Sequence, residues 1–179
     1  MEKVTYDKEL TALLVIDPYN DFISEGGKVS PRISAVAGAN HCVQHMLEVL
    51  QAARKARVRV FYALHRRYRP GDYEAWNSIA PVQKSAWTSK AFEYGTWGGE
   101  IRREFEPQPG DIVASEHWCS SGFANTDLDL LLKRHGVLPF PDGTIIARLA
   151  WNAVTSEENN NALRPVLERG LGPMLRRRP

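Results

Sequence analysis

A continuous apolar run near the N-terminus predicts a buried strand that ends at an acid. Five apolar residues extend from Ala12 to Ile16, and Asp17 and Pro18 follow them directly. Such a run, stopped by a turn signal, is typical of a strand buried on both faces. In open α/β sheets, ligands bind beyond the carboxyl ends of the strands. Asp17 is therefore either a general base at that edge or a cap for the following turn, and this stretch leaves both interpretations open.

Strand and helix patterns alternate along the rest of the chain. Apolar spacing predicts a long helix over about residues 37–56, and capping signals predict further helices over residues 98–105 and 127–135. Apolar runs predict parallel strands at about residues 11–16, 58–64, 111–115 and 144–150. The alternation predicts a three-layer α/β/α domain with a parallel, Rossmann-like sheet, in which the strand before Asp17 lies in the interior.

A long connection follows the second predicted strand. Residues 66–97 carry these aromatic side chains: Tyr68, Tyr73, Trp76, Trp87, Phe92, Tyr94 and Trp97. A connection of this length inside a domain is usually a functional lid or a binding loop. The same rings are equally suited to covering an apolar edge or to forming a subunit contact, and the sequence leaves both interpretations open.

The third predicted strand delivers a second acid, Glu116, at its carboxyl end. Because the carboxyl ends of parallel strands share one edge of a sheet, we expect Asp17 and Glu116 to face one crevice. Phe22 and Trp118 are expected on its walls. Two adjacent acids repel each other, so one of them would hold a proton at neutral pH, which suits general acid–base chemistry.

Composition narrows the classes of protein that fit. Hydrophobic residues make up 43% and charged residues 25% of 179 residues, which is typical of one globular domain, here residues 1–179. A net charge of +2 gives no support for nucleic-acid binding, and no apolar run reaches membrane-spanning length. Cys42 and Cys119 form no disulfide framework, and the N-terminus lacks the apolar stretch of a signal peptide. We therefore expect a cytoplasmic protein that binds neither nucleic acid nor membrane.

Metal and cofactor chemistry has little support in the sequence. His41 and His45 lie four residues apart on the predicted helix, a spacing that can bind a metal. No third ligand is near them in sequence, so we expect a pair on the helix surface and no metal site. No cofactor is expected.

Several motifs together carry a family resemblance. They are Leu13–Phe22 (LLVIDPYNDF), Pro109–Val113 (PGDIV) and Ser121–Leu128 (SGFANTDL). With the strand–helix–strand unit, these motifs make the chain resemble the isochorismatase-like cysteine hydrolases over about residues 10–137. The resemblance implies a parallel sheet flanked by helices. It also implies hydrolysis of amides, or of vinyl ethers such as isochorismate, by an aspartate, a lysine and a cysteine, with Asp17 as the aspartate and Phe22 as a pocket-lining aromatic.

Two positions depart from the family pattern. Glu116 stands where the family lysine ends the third strand. The family cysteine lies at the start of a helix, where backbone N–H groups can hold an oxyanion, but no cysteine follows Cys119 in this chain. The expected site therefore comprises Asp17, Glu116 and Cys119 as catalytic residues and Phe22, Trp118 and Asn20 as substrate-binding residues.

Near Val137 the chain is expected to leave the family and to be truncated relative to it. Residues 138–169 predict an atypical strand and a helix, and residues 170–179 predict a basic, frayed tail. Part of this segment faintly resembles cytochrome P460-like proteins but has no haem-attachment motif, so no haem is expected. A frameshift, a recombined gene and a truncated paralogue all fit the pattern.

Two functions fit these observations. The first is an isochorismatase-like hydrolase of a small amide or enol ether, with activity impaired or absent because the family cysteine is missing. The second is a non-catalytic relative that keeps the crevice as a binding or assembly protein. In either case we expect a small-molecule ligand. A sheet that stops early leaves an unpaired strand edge, so we also expect a homo-oligomer.

Overall fold

Three parallel strands form the sheet in the part of the chain that the computed structural model describes, residues 7–118 and 121–137. They are β1 (Ala12–Ile16), β2 (Arg59–Ala63) and β3 (Ile112–Val113), in the order β1-β2-β3. The Cα partners include Leu13 with Val60, Val15 with Tyr62, and Phe61 with Ile112. These strands confirm the predicted parallel sheet. The predicted strand at 144–150, the helix after it and the tail lie outside the described residues.

The central strand of the described sheet is β2, which pairs with both β1 and β3. Residues 60–63 of β2 are all buried, whereas Ile16 in β1 is 53% exposed. Among the described strands β1 pairs with β2 alone, and the predicted fourth strand lies outside the described residues, so the expectation that β1 lies in the interior stays a prediction. An apolar run reports burial but not strand order, because order depends on which distant segments pair.

Alternate residues of the sheet pack against helices on both faces. On one face, Leu13, Val15 and Tyr62 pack with Leu50 of the long helix after β1. On the other face, Ala12, Leu14 and Phe61 pack with Leu128 of the last described helix. This alternation follows from the period of two along a strand, and it makes the described fold a three-layer α/β/α arrangement.

The helices differ from the predicted ones at two places. In the described residues they are α1 (Asn20–Ile23), α2 (Ser34–Ala39), α3 (Cys42–Lys55), α4 (Pro81–Ser89) and α5 (Leu128–Arg134), with 3₁₀ turns at Ser30–Arg32, Trp97–Gly99 and Arg103–Phe105. The long helix predicted over residues 37–56 is interrupted because His41 has φ 48°, in the left-handed region. None of these described helices has the length and apolar character needed to cross a membrane.

The short helix predicted over residues 98–105 is also wrong as a single helix. Two 3₁₀ turns flank an extended stretch, in which Ile101 forms an antiparallel bridge with Tyr19. Arg102 N–H donates to the Pro18 carbonyl at 2.9 Å, so this stretch pairs with the chain that leaves β1. The helix predicted over residues 127–135 is confirmed as α5, and Gly136 follows it with φ 74°.

A buried polar network ties α3 to the start of β3. The Arg54 guanidinium contacts the Asp111 carboxylate and lies 3.1 Å from the Tyr62 hydroxyl. The Tyr62 hydroxyl donates to the Phe105 carbonyl at 2.7 Å. Burial, together with the Asp111 charge, raises the pKa of Tyr62 to about 12, although Arg54 opposes the shift, so the hydroxyl keeps its proton and remains a donor.

We expect the substitution Tyr62→Phe to destabilise the fold by about 1–3 kcal/mol, because it leaves the Phe105 carbonyl without its donor and removes one of the acceptors of Arg54. Urea unfolding followed by circular dichroism measures this change. Tyr94→Phe is the matched control, because Tyr94 is 52% exposed. Equal midpoints for the two variants would contradict the expected contribution of the network.

Candidate active site

Asp17 lies directly after β1 in a backbone conformation that few residue types adopt. Its φ is 51°, in the left-handed region, where aspartate and asparagine are tolerated better than most other side chains. Its N–H donates to the Ala63 carbonyl at 3.2 Å, and its Oδ1 accepts the His65 N–H at 2.6 Å. These two bonds hold the carboxylate at the shared carboxyl end of β1 and β2, as the sequence predicts.

His117 places a buried imidazole next to this carboxylate. Its Nε2 lies 3.3 Å from Asp17 Oδ1, and its side chain is only 6% exposed. Neither ring nitrogen forms a hydrogen bond with another described residue, which is costly for a buried polar group. Its backbone extends the β2–β3 pairing, since the His117 N–H donates to the Leu64 carbonyl at 2.8 Å.

His117 is a site residue that the sequence analysis missed. The available signal was its position next to Glu116, just after the end of a predicted strand. Successive side chains of an extended segment point to opposite sides, so consecutive residues at a strand end meet different neighbours. Here the residue that reaches Asp17 is His117, while Glu116 has partners of its own.

Glu116 is paired with arginines. Arg67 Nε donates to Glu116 Oε1, the Arg67 N–H donates to Oε2 at 3.2 Å, and Arg66 Nη1 lies 3.7 Å from Oε2. No hydrogen bond joins the carboxylates of Asp17 and Glu116. The arginines therefore place two guanidinium groups against the Glu116 carboxylate, and the expected sharing of a proton between the two acids stays a prediction.

Tyr19 and His65 nevertheless lie within the electrostatic reach of both acids. Tyr19 is fully buried, and its hydroxyl donates to the His65 carbonyl at 2.9 Å. Burial raises the pKa of Tyr19 well above its usual value, and the charges of Glu116 and Asp17 raise it further. Burial lowers the pKa of His65, although Asp17 and Glu116 oppose that shift. Tyr19 is therefore a neutral phenol and His65 a neutral imidazole near pH 7.

Phe22 reaches the site through stacked rings. Phe22 and Phe92 stack with centroids 6.1 Å apart, and Phe92 lies 5.3 Å from the His65 ring. The His65 ring in turn lies 5.5 Å from that of His117. Phe22 is thus linked to His65 through Phe92, and its contact with a substrate stays a prediction.

Trp118 lies on the arginine side of the site. The Arg66 guanidinium carbon is 5.0 Å from the Trp118 ring centroid, and the rings of Tyr73 and Trp76 lie 5.8 Å and 5.4 Å from it. Because Arg66 also approaches Glu116, Trp118 belongs to the surroundings of Glu116. Its role in substrate binding also stays a prediction.

Asn20 and its neighbour Asp21 hold the surrounding loops. Asn20 Nδ2 donates to the Trp97 carbonyl at 2.9 Å, and its Oδ1 accepts the Ser24 hydroxyl. Asp21 is 1% exposed, and its two oxygens accept the backbone N–H groups of residues 28 and 92. A side chain at Gly98 would collide with this carboxylate. The amide of Asn20 therefore has a structural task, and a direct contact with substrate stays a prediction.

Cys42, the one cysteine among the described residues, contributes no thiol to the site. Cys42 lies on α3, where its Sγ is 3.9 Å from the sulfur of Met46 and burial raises the pKa of its thiol. Cys119 lies outside the described residues. The rings of His41 and His45 are 6.3 Å apart, and no cluster of three or more His, Cys, Asp or Glu side chains within residues 7–118 and 121–137 has an arrangement suited to a metal.

The lowered pKa of His65 makes stability depend on pH. The unfolded chain binds a proton at this imidazole near pH 6.5, whereas the folded chain binds it only at lower pH. The contribution of His65 is therefore fully present above pH 6.5 and is lost as the pH falls towards the folded-state pKa. We expect the free energy of unfolding to fall between pH 7 and pH 5, and to fall less in His65→Gln.

Urea unfolding at a series of pH values tests this expectation. His41→Gln is the control, because His41 is exposed on the surface and its substitution is expected to leave the pH dependence unchanged. An identical pH dependence in His65→Gln and in the original chain would show that His65 is not the group responsible.

The amino-acid sequence of this chain is similar to a known family and to several of its curated members. The family model for the isochorismatase domain matches residues 11–146, which continues past the departure predicted near Val137. Ureidoacrylate amidohydrolases of Rhizobium rhizogenes and Caulobacter segnis are each 32% identical to this chain over 146 residues, which is 76% of this chain and 59% and 61% of theirs. The chain thus spans about three fifths of the length of these curated relatives.

Solved structures also align with the fold. A cysteine hydrolase of Pseudomonas syringae aligns with a TM-score of 0.55 and 25% identity, over 75% of this chain and 59% of that one. The N-carbamoylsarcosine amidase of Thermoplasma acidophilum aligns with a TM-score of 0.50 and 28% identity, over 70% of this chain and 62% of that one. The predicted family resemblance is therefore confirmed.

Proposed function

Because this chain belongs to the isochorismatase family, we propose that it hydrolyses a small amide of the carbamoyl type, slowly, with Asp17 as the general base. The substrate class is supported by two of the similar proteins, a ureidoacrylate amidohydrolase and an N-carbamoylsarcosine amidase. The observation that carries the proposal is the position of the Asp17 carboxylate, held by the His65 N–H with His117 Nε2 3.3 Å away.

The two oxygens of Asp17 have different surroundings. Oδ1 accepts the His65 N–H and faces His117, whereas Oδ2 makes no hydrogen bond to a described residue. A general base needs a fixed position and an oxygen that remains accessible to the proton it accepts. The bond to Oδ1 fixes the position of the whole carboxylate, and the Asp17 side chain is 20% exposed, which supports Oδ2 as the oxygen that accepts the proton.

The chemistry assigned to this carboxylate is amide hydrolysis. The attacking water adds its oxygen to the carbonyl carbon while its proton passes to Asp17 Oδ2. The tetrahedral intermediate then collapses, the C–N bond breaks, and the departing nitrogen takes the proton back from Asp17. The products are the acid and the free amine or ammonia. His117 lies beside Oδ1 and serves as a positioning residue for the Asp17 carboxylate.

Turnover is expected to be slow because water, and not a cysteine thiolate, is the proposed nucleophile. The Cys42 thiol has a raised pKa and packs on Met46, so it is unsuited to attack. No cysteine follows Cys119 in the sequence. Direct attack by water in place of a two-step covalent route raises the barrier by several kcal/mol, at about 1.4 kcal/mol for each tenfold in rate.

The second candidate function is a binding protein without turnover. The observation that favours it is the same absence of a suitable thiol from the described site. In that case the crevice binds a carbamoyl compound and releases it unchanged. Calorimetric binding together with an assay for released ammonia distinguishes the two functions, because only a hydrolase produces ammonia from a bound primary carbamoyl compound.

We expect Asp17→Asn to reduce turnover by about a hundredfold or more while leaving the fold intact. Asparagine tolerates the left-handed backbone at φ 51°, and its amide oxygen can accept the His65 N–H, but the amide group cannot act as the base. Ammonia release and thermal unfolding measure the two effects. Asp129→Asn, on the exposed surface of α5, is the matched control. Full turnover in Asp17→Asn would refute the assignment of the base.

We expect Cys119→Ser to leave the slow turnover unchanged, because the proposed nucleophile is water. The measurement is ammonia release by the full chain from a panel of small carbamoyl compounds, before and after treatment with a thiol-alkylating reagent. Fast turnover that disappears in Cys119→Ser, and that alkylation also abolishes, would overturn the proposal of direct attack by water.

A further inference from the structure

Three arginines follow β2, but only two of them have a carboxylate partner. Arg66 donates to Asp72 through Nε and Nη2 at 3.2 Å and 2.7 Å, and Arg67 is paired with Glu116. The Arg69 side chain forms no ion pair or hydrogen bond in the described part of the chain. Its Nε is buried and has no hydrogen-bond partner among those residues. Within the described part of the chain, one positive charge at this edge is therefore left without a counter-charge.

Tyr94 holds this unpaired guanidinium in place. The Cζ atom of Arg69 lies 4.0 Å from the centroid of the Tyr94 ring, and that of Arg67 lies 4.8 Å from it. The Tyr94 N–H donates to the Tyr68 carbonyl at 2.9 Å, which anchors the ring to the backbone of the same connection. The cation–π contact restrains the Arg69 guanidinium, so binding of an anion costs less side-chain conformational entropy.

The acidic side chain nearest to Arg69 in sequence already has other partners. Asp72, near Arg69 in sequence, is occupied by the Arg66 fork and by the Arg69 backbone N–H at 2.8 Å. Tyr94 is 52% exposed, so the platform is reached from solvent. Arg67 contacts both Tyr94 and Glu116, so this platform adjoins the arginine cluster around Glu116.

We propose that Arg69 on the Tyr94 ring binds the carboxylate of the substrate, so that the protein selects carbamoyl compounds that also carry an acid group. The planar guanidinium matches a carboxylate through paired N–H···O bonds, and one unpaired positive charge matches a single anionic group. This inference rests on the proposed function, because it assumes that the carbamoyl group of the same ligand lies at Asp17.

The test compares two probes of similar size that differ in charge, 3-ureidopropionate and propylurea. Isothermal titration of the full chain measures binding of each one without requiring turnover. We expect the acid to bind about tenfold more tightly or better than the neutral compound, and Arg69→Gln to abolish this preference without changing the affinity for propylurea. Arg69→Lys is expected to retain part of the preference, because it keeps the charge but loses the planar fork.

Arg134→Gln is the matched control, since Arg134 is exposed at the end of α5, and it is expected to keep the full preference. Equal binding of the two probes by the original chain, no binding of either, or a preference that survives Arg69→Gln would each overturn the inference. Asp17→Asn separates this test from the proposed function, because it is expected to lose turnover while keeping the preference for the acid.

Discussion

The hydrogen bond from the His65 N–H to Asp17 Oδ1 is the constraint on which the site depends. It joins the ends of β1 and β2 just after their regular pairing stops, and the Asp17 N–H adds a bond to the Ala63 carbonyl. The left-handed backbone at Asp17 lets one residue both end the strand and place its carboxylate against the neighbouring strand. The roles of turn former and of candidate base are therefore combined in a single residue.

Charge pairing separates this edge of the sheet into two parts. Asp17 lies beside a buried imidazole, that of His117, whereas Glu116 lies among guanidinium groups. The two acids act together on Tyr19, whose phenol is kept neutral by burial. Glu116 stands where the family resemblance implies a lysine. Arg66 and Arg67 lie against it, so this edge of the site keeps positive charge next to the glutamate.

The connection between β2 and β3 is held against α1 by a buried acid. Asp21 accepts the backbone N–H of Phe92 at 2.7 Å and that of Lys28 at 2.9 Å, and Gly98 packs directly on its carboxylate. Phe92 belongs to the main apolar cluster, so part of this connection covers apolar surface. The same connection carries Arg69 and Tyr94, so one segment both covers apolar surface and holds the proposed binding groups.

The sequence by itself determined the strands and the position of Asp17, because an apolar run that stops at an acid and a proline has few structural solutions. It also determined α5, because the glycine that stops this helix, Gly136, follows it closely in the sequence. Tertiary structure alone decided that β2 lies between the other two described strands, that His41 interrupts the long helix, and that His117 rather than Glu116 reaches Asp17. These features depend on long-range pairing and on the side to which a side chain points after its strand ends, and residue types and spacing do not specify either of them.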